Sequence, residues 1–263
     1  MSVPLSSKIV YDALFAAAWQ TLQSFGAKLN LQMGMISILH TWGQNLSMHP
    51  HLHCIVPGAG VDKNGKLQSI RKDGKFLFCT KAMSKMYRAK YVAELRSKGI
   101  VDKNLFESLF AKKWVVFAKR AFGNAQSIIE YLGRYTHKVA ISNNRIKEVT
   151  KTHVTFVYKD YNDGAKQKQM TLTNEEFIRR FAQHILPARF VRIRHFGILS
   201  STWKRSKLKE LQGQMMVVAK QFEAQTKLHC CPHCKTPTME MIDVFGKRGP
   251  PKEYLLGTQN NTA

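Results

Sequence analysis

The chain has 263 residues, 44% of them hydrophobic, enough for one large domain or two small ones with a buried core; a largely disordered chain is excluded. Lys and Arg number 41 against 17 acidic residues, a formal net charge of +24, so the expected partner is a polyanion, nucleic acid ahead of an anionic membrane. No run of 18 apolar residues appears, so no helical membrane span is expected, and five cysteines, three of them bunched at 230, 231 and 234, fit a reducing cytoplasm better than a disulfide framework.

"MSVPLSSKIVYDALFAAAWQ" is interrupted by Tyr11, Asp12 and Gln20 and offers no clean cleavage site, so it reads as an amphipathic helix and not as a signal peptide. That helix is expected from Ser6 or Ser7 to Phe25, with Ile9, Ala13, Ala16 or Ala17, and Leu22 at helical spacing and Gly26 at its end. "MGMISILH" and "HLHCIVPG" read as strands, joined antiparallel by the polar segment from Thr41 to Pro50. "VDKNGKLQSIRKDGKFLFC" carries the turn signals Asn64-Gly65 and Asp73-Gly74 and reads as short strands in a basic hairpin.

Residues 81–98 and 103–121 read as two basic amphipathic helices and residues 125–136 as a third. Short β segments are expected near 138–142, 145–149, 153–159 and 168–172. "TNEEFIRRFAQHIL" opens with Thr173 or Asn174 as a cap before acidic residues, a helix start. "RFVRIRHFG" alternates apolar and basic residues, which predicts a strand with one face on the core and Arg192 and Arg194 toward phosphate. A helix over about 202–226 precedes the cysteines. The fold class is α+β, an antiparallel sheet with helices on one side. Residues 1–200 form the main domain, 201–245 a helix and Cys-rich region, and 246–263 a loose tail.

Four of the ten histidines fall in "LHTWGQNLSMHPHLHCIVPGAG". Strand side chains alternate, so His51 and His53 share a face and Leu52 takes the other. If the hairpin opposes residue 40 to residue 51, His40 joins that face as a third ligand, with His49 or Gln44 as alternatives. Three ligands with open positions suit a catalytic metal. Surface or core histidines can show the same spacing.

"IIEYLGRYTHKVA" puts Tyr131 and Tyr135 on one helical face, with Arg134, His137 and Lys138 nearby. A phenol can attack phosphorus when cations neutralise the phosphate. Aromatics at this spacing are also common in cores, and Gly133 weakens the helix or permits close backbone approach. "HCCPHCK" offers Cys230, Cys231, Cys234 and His233 as ligands for Zn²⁺, but no second CxxC closes the set. Lys and Arg interleave with Tyr87, Tyr91, Trp114 and Phe117, aromatics able either to pack or to stack unpaired bases.

Together these features resemble the HUH endonuclease superfamily and, more closely, the two-tyrosine transposases of rolling-circle insertion sequences of the IS-ninety-one type. The resemblance is carried by "HTWGQNLSMHPHLHCIVPGAG", "IEYLGRYTHKVAISNNRI" and "RHFGILSS", and it spans roughly residues 5 to 240. It implies an HUH-like nuclease domain in which His51 and His53 bind one Mg²⁺ or Mn²⁺ ion. Tyr131 or Tyr135 would attack single-stranded DNA and leave a 5′-phosphotyrosine, and the other tyrosine would make a second cleavage. Arg134 and Lys138 would meet DNA. The resemblance implies a bacterial, nucleoid-associated location. The third ligand is not fixed by it.

Family members usually carry an N-terminal Cys-rich zinc module and a β segment ahead of the helix that opens this chain. The expectation is therefore a sheet short of an early strand. Two rival readings stand beside this one: a rolling-circle replication initiator or relaxase with the same chemistry, and an inactive DNA-binding remnant.

Overall fold

A computed structural model describes residues 7–70, 77–119, 121–122, 124–136, 140–215, 231 and 233–236, with only the backbone described at 125, 134–136 and 162. The chain divides into two units, residues 1–217 and 218–263. The first is mixed α+β with antiparallel sheets.

Helix α1 (Ser7–Ala27) leads into β1 (Gly34–Trp42) and β2 (Met48–Ile55). Strand β1 is central, paired antiparallel with β2 on one side and with β8 (Ile193–Gly197) on the other. Pro50 lacks an N–H and is tolerated because β2 is an edge strand. Gly197 has φ +55°, and a Cβ there would sit 1.9 Å from the Met33 carbonyl oxygen, so this position at the end of β8 requires glycine.

The two sheet faces differ. Leu39, Leu52 and Phe196 lie against α1 and α2 (Thr80–Ser97), in a core with Tyr11, Phe15 and Leu95. The register places Ile38 opposite His53 and Ile193, and His40 opposite His51, so these residues share the other face. Strand β8 reverses the expected division of labour. Arg194 lies on the helix-covered face, its guanidinium 4.2 Å from the Phe15 ring centroid and 5.2 Å from that of Phe190, and bonds to Asp12. Asp12 also accepts from Lys8 at 2.6 Å. Burial acts to raise the Asp12 pKa, but the two cations hold it below the ordinary carboxylate value. Arg192 gives its carbonyl to the Leu39 N–H at 3.0 Å. The Arg194 side chain is thus tied into the fold, because a guanidinium can cover an aromatic face while its edge bonds an acid.

Strands β3 (Ala59–Val61) and β4 (Leu67–Ser69) form the expected hairpin around Asn64-Gly65, with the Asp62 carboxylate accepting from the Asn64 and Lys66 N–H groups. The Asp73-Gly74 turn lies outside the described residues. Helix α3 (Lys103–Ala111) stops ten residues short of the expected 121. Arg88 captures the Phe110 and Lys112 carbonyls at 2.7 and 3.1 Å, and Trp114 turns in against Tyr87 and Tyr91. Tertiary packing there outweighs the helical periodicity. Helix α4 (Ala125–Thr136) follows as expected.

A second sheet has the order β5 (Ile146–Val149), β6 (His153–Asp160), β7 (Lys166–Thr173). No strand forms at 140–142: Ala140 and Ile141 are instead buried beside Phe156 and Leu46, and a 3-10 turn at 143–145 starts β5. Residues 138 and 139 lie outside the described part. Helix α5 (Asn174–Ala182) is capped by the Thr173 hydroxyl, which accepts from the Glu176 N–H. Helices α6 (Ser201–Ser206) and α7 (Leu208–Gln214) replace the first half of one expected helix. Residues 216–226 and the 246–263 tail lie outside the described part. Phe156 is fully buried at the centre of the second sheet. Phe156→Ala is therefore expected to destabilise by about 3–5 kcal/mol in urea unfolding; a midpoint equal to wild type would contradict this packing.

Candidate functional site

The β1–β2 register places His40 directly opposite His51, and His53 lies two residues further along the same face. The His40 and His53 ring centroids are 4.6 Å apart, those of His51 and His53 5.0 Å, and those of His40 and His51 5.5 Å. One potential ligand atom from each ring lies within 4.8 Å of the other two. Among the described residues this is the group of three or more His, Cys, Asp or Glu that could hold an ion. Two nitrogens on one tetrahedral ion, with bonds of about 2.1 Å, stand about 3.4 Å apart, so the three rings would have to draw together to share an ion.

The surroundings of His51 favour a neutral, oriented imidazole. The His51 Nδ1–H donates to the His49 carbonyl at 2.7 Å, which leaves Nε2 with its lone pair free for an ion. Burial lowers the His51 pKa, against the opposing effect of that hydrogen bond. His40 is buried, and its ring stacks on Trp42 at 4.7 Å and 17°. His49 is not one of the three grouped ligands, though its ring lies 5.1 Å from that of His51 and its carbonyl accepts from the His51 ring. Gln44 gives its own carbonyl to Arg145.

Tyr131 on α4 lies beside the cluster. Its hydroxyl lies 3.1 Å from His53 Nδ1, and its ring packs edge-to-face on Phe122 at 5.2 Å. Tyr135 follows one helical turn later by backbone position. The side chains of Tyr135 and Arg134 lie outside the described part, as do His137 and Lys138. A Cβ at Gly133 would meet nothing within 4 Å among the described residues.

Sequence reasoning missed the support of the hairpin tip. Three consecutive carbonyls there, of Gln44, Asn45 and Leu46, accept from Arg145, Arg180 and His184 respectively. Leu46 is fully buried with φ +60°. The His184 Nε2–H serves the Leu46 carbonyl at 3.2 Å, and its Nδ1 accepts from the Thr41 hydroxyl at 3.3 Å. Thr41 is the neighbour of His40, so the second sheet and α5 fix the end of the histidine hairpin. A Glu176 carboxylate holding both Arg179 and Arg180 steadies the clamp.

A pH dependence follows. Burial lowers the pKa of His51, His184 and His195 from the ordinary 6.5. Between the lowered values and 6.5 the unfolded chain binds more protons, so stability rises with pH there. The melting temperature is expected to fall as pH drops below about 6.5, and His184→Asn should flatten the decline. Equal melting temperatures on both sides of that value would count against neutral buried imidazoles.

In the second unit, Cys231, His233 and Cys234 lie in a short turn in which the Cys231 N–H donates to the Thr236 carbonyl and the Lys235 N–H to the Cys231 carbonyl, each at 2.9 Å. Cys230 lies outside the described residues. The three described residues do not form a metal-holding group by themselves.

A three-histidine cluster on an antiparallel sheet, with a tyrosine hydroxyl at its edge, defines a candidate metal centre in a strongly basic α+β protein. The family described as "Putative transposase" (Y2_Tnp) matches residues 34–207, and the chain belongs to that family. It is 36% identical to "Putative transposase y4qJ" of Sinorhizobium fredii over 93% of this chain and 70% of that protein. It is 28% identical to "Transposase for insertion sequence element IS801" of Pseudomonas savastanoi pv. phaseolicola, over 72% of this chain and 49% of that protein. The chain thus spans 70% of the first of these relatives and 49% of the second. No solved structure matches it significantly. No described helix is long and apolar enough to cross a membrane.

Proposed function

We propose that the chain cleaves and rejoins single-stranded DNA through a 5′-phosphotyrosine during rolling-circle-type transposition. The observation that carries this reading is the Tyr131 hydroxyl 3.1 Å from His53, within the histidine cluster. Family membership supports the transposition context and favours it over a replication initiator or relaxase.

His40, His51 and His53 would hold one divalent ion. When bound, it would polarise the scissile phosphate and neutralise charge that builds on its oxygens. An all-imidazole donor set is unusual for Mg²⁺ and leaves room for Mn²⁺. Tyr131 is the first nucleophile in this reading. Its oxygen bonds to phosphorus, its proton passes to water, and the bond from phosphorus to the 3′-side oxygen breaks to leave a free 3′-hydroxyl. With its Nδ1 protonated, His53 would donate to the Tyr131 oxygen and stabilise the phenolate, leaving Nε2 as the atom that could hold the ion. The ester conserves the bond energy, so attack by a 3′-hydroxyl reverses the step without ATP. Tyr135 would serve the second strand.

Arg134 and Lys138, on either side of Tyr135 in sequence, would contact DNA backbone. Arg194 carries little of this role, since its guanidinium is bound to Asp12 and the Phe15 ring; Arg192 remains a candidate DNA contact. The test is incubation with a labelled single-stranded oligonucleotide and Mn²⁺. A denaturation-resistant adduct that chelator prevents supports the reading. Tight binding with no adduct under Mg²⁺ or Mn²⁺ would leave a DNA-binding remnant in its place.

A further inference from the structure

Cleavage at Tyr131 requires an unpaired strand to reach it, and the segment before α4 has the surface for that. From Trp114 to Lys119 exposure alternates residue by residue, as in an extended chain. Trp114, Val116 and Ala118 are half-buried, while Val115 and Phe117 are 84% and 78% exposed. Lys113 and Lys119 are exposed on the same parity as Phe117, and among the described residues neither has an acidic partner. Among the described residues no backbone–backbone hydrogen bond ties 115–119 to another strand.

The neighbouring aromatics are not available. Tyr87 and Tyr91 each lie 5.1 Å from the Trp114 ring, and burial raises both their hydroxyl pKa values. Phe117 is left as the large ring facing water on this stretch. Three residues beyond Lys119 in sequence, Phe122 is 39% exposed and its ring touches Tyr131. An aromatic face between two cations suits a polyanion with flat, apolar bases better than a protein surface, and the net charge of +24 selects the same partner.

We propose that residues 113–119 are a strap that binds single-stranded DNA, with a base stacked on Phe117 and phosphates on Lys113 and Lys119, leading the strand to Tyr131. The proposal rests on single-stranded DNA being the substrate of the site. Its test is binding of the full chain to fluorescent oligo-dT in chelator, where no cleavage occurs. Phe117→Ala should weaken binding about 10-fold, within the range of one lost base–aromatic stack. Phe117→Trp should restore affinity. The Ala penalty should vanish on an abasic oligonucleotide of equal length, which keeps its phosphates but has no base to stack.

Wild-type affinity in Phe117→Ala, an equal loss on the abasic strand, or no rescue by Trp would each overturn the strap. Failure of the cleavage reading is distinguishable. It would appear as no adduct with divalent metal while the Phe117 dependence of binding in chelator persisted.

Discussion

His51→Ala and His53→Ala are each expected to reduce adduct formation on a single-stranded oligonucleotide by about 100-fold or more, while DNA affinity stays within about twofold of wild type. The first figure follows from the charge that accumulates on the phosphate during displacement. Losing its neutralisation costs several kcal/mol, and each 1.4 kcal/mol is about tenfold in rate. The second follows from the net charge of +24, which supplies affinity from many cations that these substitutions leave alone. His40→Ala should act in the same direction but also lower stability, because His40 is buried and stacked on Trp42. The cleaner pair is therefore on β2, an edge strand whose histidines are only partly buried. Parallel loss of binding and adduct in His51→Ala, at an unchanged melting temperature, would assign the histidines to DNA contact instead of catalysis.

The second large effect concerns the tyrosines. Tyr131→Phe should slow first cleavage by more than about 100-fold, since it removes the attacking oxygen and leaves the ring contact with Phe122 in place. Residual adduct should then come from Tyr135, one turn further along α4, and the double Phe variant should form none. Tyr135→Phe should spare first cleavage and impair strand transfer. A double variant that still forms an adduct would exclude both residues as nucleophiles. Phe is the informative replacement because it keeps the aromatic packing and deletes only the hydroxyl.

The histidine site was legible because its logic is local. Alternation along one strand pairs His51 with His53, and a hairpin between two apolar runs offers few registers, one of which brings in His40. The α+β class and the helix carrying Tyr131 were readable for the same reason, from periodicity. The parts that failed depend on distant partners. The end of α3 is set by Arg88 and by Trp114 meeting Tyr87 and Tyr91, which nothing in residues 103–121 announces. Arg194 looked like a phosphate ligand by alternation, yet Asp12, 182 residues away in sequence, and the Phe15 ring claim it. The clamp of Arg145, Arg180 and His184 on the hairpin tip was equally hidden, because its acceptors are backbone carbonyls, which every residue carries. A signal existed only in Leu46, an apolar residue in a polar loop, which the fold buries against Phe156.

The central claim is that a tyrosine of α4, beside the histidine cluster, becomes covalently joined to DNA. Its most direct test is mass-spectrometric mapping of the peptide that retains a nucleotide after reaction with a single-stranded oligonucleotide and Mn²⁺. The nucleotide is expected on Tyr131, with Tyr135 as the second acceptor. A nucleotide on any residue outside α4, or avid binding with no modified peptide, would contradict it.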